Sequence, residues 1–208
     1  MRAGRTSLSA EARLQGITDE PLSPDGFRDA VDARSRLINR VVAVASSPLR
    51  RARETAQILA EPLGSSPAVL VDLRDVDTGR WTGRTVAEIA ASEPKAFDAY
   101  LRFPTAATFP TGERMADAER RVFRVLESFA GDHPAGSVAM VTHELVIRLV
   151  LLRLRRLEGT AMWDPHIPPG SVTEVRATDE GFELPTILEG LFRASARERA
   201  GGRTVPPR

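Results

Sequence analysis

The stretch VVAVASSPLRRARETA, residues 41–56, changes character half-way along. Its first five residues are apolar and mostly β-branched, the composition of a short strand buried on both faces. Ser46, Ser47 and Pro48 then offer hydroxyls and a fixed backbone angle where a helix would begin. Arg50 and Arg51 fall in that helix's first turn, and the helix is expected to run through Leu59. A second segment, VAMVTHELVIR at residues 138–148, repeats the arrangement: 137–141 reads as a strand, 145–154 as a helix, and His143 stands at the join. Two strand-to-helix units predict an α/β sheet, in which ligand-binding side chains collect where strands end. Arg51 and His143 are therefore the first candidates for a site, and Arg2 in the opening MRAGRTSLSAEARLQG is the third.

The remaining chain fits around these units. Ser23-Pro24-Asp25 predicts a helix start, and the helix over 26–38 offers Phe27, Ala30, Val31, Leu37 and Ile38 as an apolar face. Residues 68–71 read as a strand leading into LRDVDTGRWTG, residues 73–83, a loop punctuated by glycine. Short helices are expected at 85–91 and 94–101, and the Pro- and Thr-rich 103–112 is a candidate lid loop. In 113–129, Met115, Ala118, Val122, Val125, Leu126 and Phe129 recur at helical spacing. Residues 172–176 and 182–184 predict a closing hairpin, after which 185–208, rich in Arg, Ala, Gly and Pro, reads as a loosely held tail. The expected architecture is a three-layer sandwich, a mostly parallel sheet with helices on both faces, over residues 1–184.

Composition narrows the function. The chain has 208 residues, enough for one sizeable core, and no cysteine, which removes disulfides, thiolate catalysis and thiolate metal sites. A net charge of +1 gives no reason to expect a nucleic-acid or membrane-surface partner. Three histidines without ligand spacing give no metal site, and the phosphate loop of nucleotide hydrolases is absent from the sequence. Lacking an apolar run of membrane length or a signal-like start, the sequence leads to the expectation of a cytoplasmic protein. It leaves the oligomeric state open, a homodimer included.

The Arg-x-Gly-x-Thr opening, SSPLRRARETA and VTHELVIR, in this order, resemble the histidine phosphatase (phosphoglycerate mutase-like) superfamily. The resemblance implies the same three-layer fold, no cofactor and a small phosphorylated molecule as partner. Arg2 and Arg51 match the two arginines of the family's phosphate pocket, and guanidinium suits a phosphoryl dianion because it keeps its charge and presents a planar fork. Singly, each would be a solvated residue in an arginine-rich chain. His143 matches the second histidine, which hydrogen-bonds the transferring group. Asp75 falls where the family carries the carboxyl that protonates the leaving group, usually a glutamate. Thr6, Ser9 and Gly16 match positions around the phosphate, Ser9 where asparagine is common, and Glu144 replaces the glycine after the second histidine.

Two departures stand out. The family motif Arg-His-Gly reads Arg2-Ala3-Gly4, so the histidine that becomes phosphorylated is replaced by a methyl group. In the family that motif ends a central strand, whereas Met1 lies two residues before Ala3, so either the true start lies earlier, the reading we favour, or this strand is missing or truncated. The parent reaction is hydrolysis of a small phosphomonoester through a phosphohistidine. With Ala3, whether engineered or natural, the protein is expected to be inactive or strongly impaired, and the alternative is a non-catalytic or repurposed binder of a phosphorylated metabolite.

Overall fold

In a computed structural model, which describes residues 1–133, 135–157 and 159–185, Val41–Ser46 is the middle strand, β1, of a parallel sheet. Its neighbours are β2, Ala68–Val69, and β3, Ser137–Val141, in the order β2-β1-β3. Ala45 pairs with Ala68 on one side and with Met140 on the other. The expected tail from residue 186 onward lies outside the described residues.

Alternation along the strands sends side chains to two cores. Val44, Ala139 and Val141 face α2, Pro24–Leu37, and α3, Arg50–Ala60, where they meet Ala33, Leu37, Ala52, Ala56 and Leu59. Ala45, Val138 and Met140 face the other way, onto Leu73, Val125 and Phe129, the last two from α6, Met115–Asp132. Helix α7, Glu144–Arg155, adds Val146 and Val150 beside Val122 and Phe123 of α6. Helices therefore cover both faces of the sheet, as expected. Val86–Ser92 (α4) and Pro94–Arg102 (α5) lie over a third core, in which Trp81, Tyr100, Phe109 and Met115 are buried.

Several expectations change in detail. Helix α2 buries Ala30, Ala33 and Leu37, while Phe27, Val31 and Ile38 are exposed. Between α2 and α3 lie Ala33, Ala52 and Ala56 together with Leu37 and Leu59, so small residues fill much of the buried stripe. Strand β2 stops after Val69 because Val71–Leu73 turns into a 3₁₀ helix. The candidate lid at 103–112 is packed down: Phe109 is buried, and a Cβ on Gly112 would sit 2.3 Å from the Asp77 carbonyl oxygen. A closing hairpin forms, but its strands are displaced from 172–176 and 182–184 to β4, Arg176–Thr178, and β5, Gly181–Glu183.

The opening residues do enter the sheet. Met1 donates to Met140 O at 2.6 Å, Thr142 N to Met1 O at 2.9 Å and Ala3 N to Thr142 O at 2.9 Å. On the far side Arg2 N donates to Ser171 O at 3.0 Å. Residues 1–3 thus form the last rung of a parallel strand beside β3. Below Met1 the outer edge of β3 borders a groove of about 490 Å³ that runs between Val138, Val146, Val150 and Val175. The loop that follows lies directly on α2, since a Cβ on Gly4 would meet Gly26 O at 2.3 Å and one on Gly26 would meet Arg5 O at 2.1 Å.

Candidate functional site

Ala3, Ser47 and His143 each follow the end of a strand segment, and the three segments are neighbours in the sheet. Asp75 joins them from the loop after β2, which Thr142 ties down by donating from Oγ1 to Leu73 O at 2.8 Å. Arg51 reaches in from the first turn of α3. Its Nη1 donates to Thr18 O at 2.7 Å, and its Nη2 donates to Gly16 O at 2.9 Å and to Asp75 Oδ2 at 3.1 Å. Two backbone carbonyls thus orient the guanidinium. Gly16 is suited to this by its φ of +50° and by space: a Cβ there would meet Thr78 Oγ1 at 2.5 Å.

His143 is buried and serves as the N-cap of α7, without a side-chain cap bond. Its Nε2 lies 2.7 Å from Ser47 Oγ and its Nδ1 lies 3.8 Å from Asp75 Oδ2. Burial first, then the fields of Arg51, Arg121 and Arg2, pushes its pKa well below the ordinary histidine value. The imidazole is therefore neutral at neutral pH. Asp75 is pulled in two directions. Burial raises its pKa and Arg51 lowers it, and burial wins, leaving it at about 6. A carboxyl poised there can hold a proton near neutrality and release it.

Arg2 differs from Arg51 in its partners. Its Nη1 donates to Ile167 O at 2.6 Å and pairs with Glu144 Oε2 at 2.6 Å. Glu144 in turn accepts from Arg148 Nε at 2.9 Å and Nη2 at 2.7 Å. The Glu144 carboxylate therefore sits between two guanidinium groups and holds Arg2 in place. Thr6 and Ser9 turn to each other instead: Thr6 N donates to Ser9 Oγ at 2.9 Å, Ser9 N to Thr6 Oγ1 at 3.2 Å, and Thr6 Oγ1 to Gln15 Oε1 at 2.8 Å. That capping box starts α1, Ser7–Ala10, and the Ser9 hydroxyl also donates to Thr6 O at 3.0 Å. The structure thus brings Arg2, Ala3, Arg51, Asp75, His143 and Glu144 together, with Gly16 as a support for Arg51. It spends Thr6 and Ser9 on local structure.

Two contributors were not singled out as site residues from the sequence. Ser47 is read from the sequence as a helix-start residue and stands against His143. Arg121, buried in α6, uses all five N–H donors on the Asp75 loop and its neighbour: Asp72 O, Arg74 O, Asp75 O and both oxygens of Glu113. Only a helical spacing that put an arginine on an otherwise apolar stripe hinted at it. Among the described residues no group of His, Asp and Glu is arranged to hold a metal ion.

Residues 1–189 match the family description "Histidine phosphatase superfamily (branch 1)". The chain belongs to this superfamily. Among histidine phosphatases and their relatives, it is 35% identical over 164 residues to a bifunctional protein of Mycobacterium tuberculosis, covering 78% of this chain and 44% of that one. The chain thus spans less than half of that relative's length. It is 33% identical over 161 residues to a metal-independent phosphoserine phosphatase of Arabidopsis thaliana, covering 74% of this chain and 66% of the relative. In structure it resembles a mycobacterial glucosyl-3-phosphoglycerate phosphatase complexed with VO3, with a TM-score of 0.80, 28% identity, and coverage of 88% and 94%. The fold is phosphoglycerate mutase-like. No described helix is long and apolar enough to cross a membrane.

Proposed function

We propose that this histidine phosphatase relative binds a small phosphorylated molecule between Arg2, Arg51 and His143, and that Ala3 leaves it unable to form a phosphohistidine. The parent reaction is hydrolysis of a phosphomonoester, for which the family and the two phosphatase relatives named above give the precedent. One observation carries the proposal. A methyl group stands at the strand end where the family motif has histidine, while two arginines, a neutral imidazole and a carboxyl near pKa 6 remain assembled beside it. The arginines would neutralise the phosphoryl oxygens, His143 would donate to them, and Asp75 would protonate the leaving alkoxide.

The second reading, a non-catalytic or repurposed binder, draws on the same geometry. Each arginine is anchored by protein carbonyls as well as by a carboxylate, so the pocket stays built without the nucleophile. Both readings require an anion site, and sulfate tests it, since sulfate stays a dianion throughout the useful pH range. Arg2 and Arg51 are balanced by Glu144 and an ionised Asp75 above pH 6, and the pocket gains one positive charge as Asp75 protonates. Sulfate should therefore raise Tm more at pH 5 than at pH 8. At about ten times its dissociation constant the gain is about 1.4 kcal/mol, or roughly 3–5 °C for a chain of this size. Arg51→Ala should abolish the increment at both pH values. An equal increment in the variant would remove the anion site from consideration.

A further inference from the structure

Within the phosphate-binding reading, we propose that Ser47 is a positioning residue: its hydroxyl donates to His143 Nε2 and fixes the imidazole as the tautomer that carries its proton on Nδ1. The argument is proton accounting. Ser47 is fully buried, and its Oγ has two neighbours: the Leu49 backbone N–H, donating at 3.2 Å, and His143 Nε2 at 2.7 Å. Leu49 N–H can only donate. If Nε2 also carried a hydrogen and donated, Oγ would accept twice and its own proton would point into the interior, with no other acceptor for it among the described residues. A buried donor stranded in that way costs about 1–3 kcal/mol. With Nε2 as acceptor every group is satisfied: Leu49 N–H to Oγ, Oγ–H to Nε2.

The proton of the neutral ring then lies on Nδ1, on the side of Asp75. The separation from Asp75 Oδ2 is 3.8 Å, too long for a hydrogen bond, and that oxygen already receives Arg51 Nη2. The Nδ1–H is thus an uncommitted donor on the same side of the ring as the Arg51 guanidinium. Ser47 is itself fixed, because its N–H donates to Val141 O at 2.9 Å and its carbonyl accepts from Ser46 Oγ at 2.8 Å. The end of β1 therefore sets the tautomer, and the tautomer decides whether a bound anion meets an N–H or a lone pair.

The test reads the tautomer directly. In protein labelled with ¹⁵N-histidine, long-range ¹H–¹⁵N spectra of the anion-free protein at pH 7.5 should show His143 Nε2 at the unprotonated shift and Nδ1 at the protonated one. Ser47→Ala, confirmed folded by its amide spectrum, should give a mixed or reversed pattern, and Ser47→Thr, which keeps a hydroxyl, should return towards the original. The Ser47→Ala variant should also bind sulfate roughly tenfold more weakly, the loss of about one hydrogen bond. A protonated Nε2 in the unaltered protein, or an unaltered pattern in folded Ser47→Ala, overturns the assignment to Ser47. If the spectra are as stated but sulfate does not bind the unaltered protein, the role of Ser47 stands and the anion site falls.

Discussion

Ala3→His is expected to switch on hydrolysis of a generic alkyl phosphomonoester such as glycerol phosphate, by a factor on the order of a millionfold over the unaltered protein. The estimate borrows the cost of deleting a nucleophile from a hydrolase whose remaining machinery is intact. Position 3 is suitable because its backbone is already held, Ala3 N donating to Thr142 O at 2.9 Å in the ladder beside His143. An imidazole there would attack phosphorus in line as the bond to the leaving oxygen breaks. The alkoxide would take its proton from Asp75, and water would then release phosphate from the phosphohistidine. With Asp75 near pKa 6, the restored activity should fall as pH rises above about 6, because the acid form of that carboxyl is lost. A folded Ala3→His protein with no turnover would show that the loss of histidine was not the decisive change, and would leave the binder reading in possession of the site.

What could be read from the sequence and what could not divide along a physical line. Strand β3 is found where the apolar run puts it, and β1 within one residue, because a strand buried on both faces has no polar alternation to confuse the pattern. Helix α2 was located and Ala30 and Leu37 of its expected face are buried, but Phe27, Val31 and Ile38 are exposed and Ala33 takes their place. Hydropathy favours the large residues, while packing against α3 favours Ala33. Packing distance is a tertiary quantity that no single-segment pattern contains. Arg2, Arg51, Asp75 and His143 could be named as candidates because each matches a motif of the family that the chain resembles. What each side chain does with its remaining donors was not legible. Ser9 could equally have faced an anion or capped a helix, and the capping box decided it. Glu144 could be seen as a charge near the site, but not as the link between Arg2 and Arg148. Such pairings join residues from elements far apart in the chain.

The same limit hid Arg121, whose substitution should have the largest effect on stability. Arg121→Met keeps much of the aliphatic stem but removes every guanidinium bond. Three backbone carbonyls, Asp72 O, Arg74 O and Asp75 O, would lose their donor, and the Glu113 carboxylate would lose its closest cation partner. Arg74 Nη2, at 3.4 Å from Glu113 Oε1, compensates only weakly. Breaking a buried ion pair by deleting one partner costs about 3–5 kcal/mol, so a fall in Tm of roughly 10 °C is expected for a chain of this size. Arg121→Met with Glu113→Gln should recover part of that loss, because the stranded charge is gone while the carbonyls stay unpaired. The pocket should register the change as well. Arg121 holds the carbonyl of Asp75 at 3.1 Å and its charge lowers the Asp75 pKa, so its removal should loosen that carboxyl and move its titration upward. A thermal scan and the pH dependence of sulfate binding measure the two effects separately. A variant as stable as the parent would mean that solvent reaches these carbonyls, and the Asp75 loop would then need another anchor.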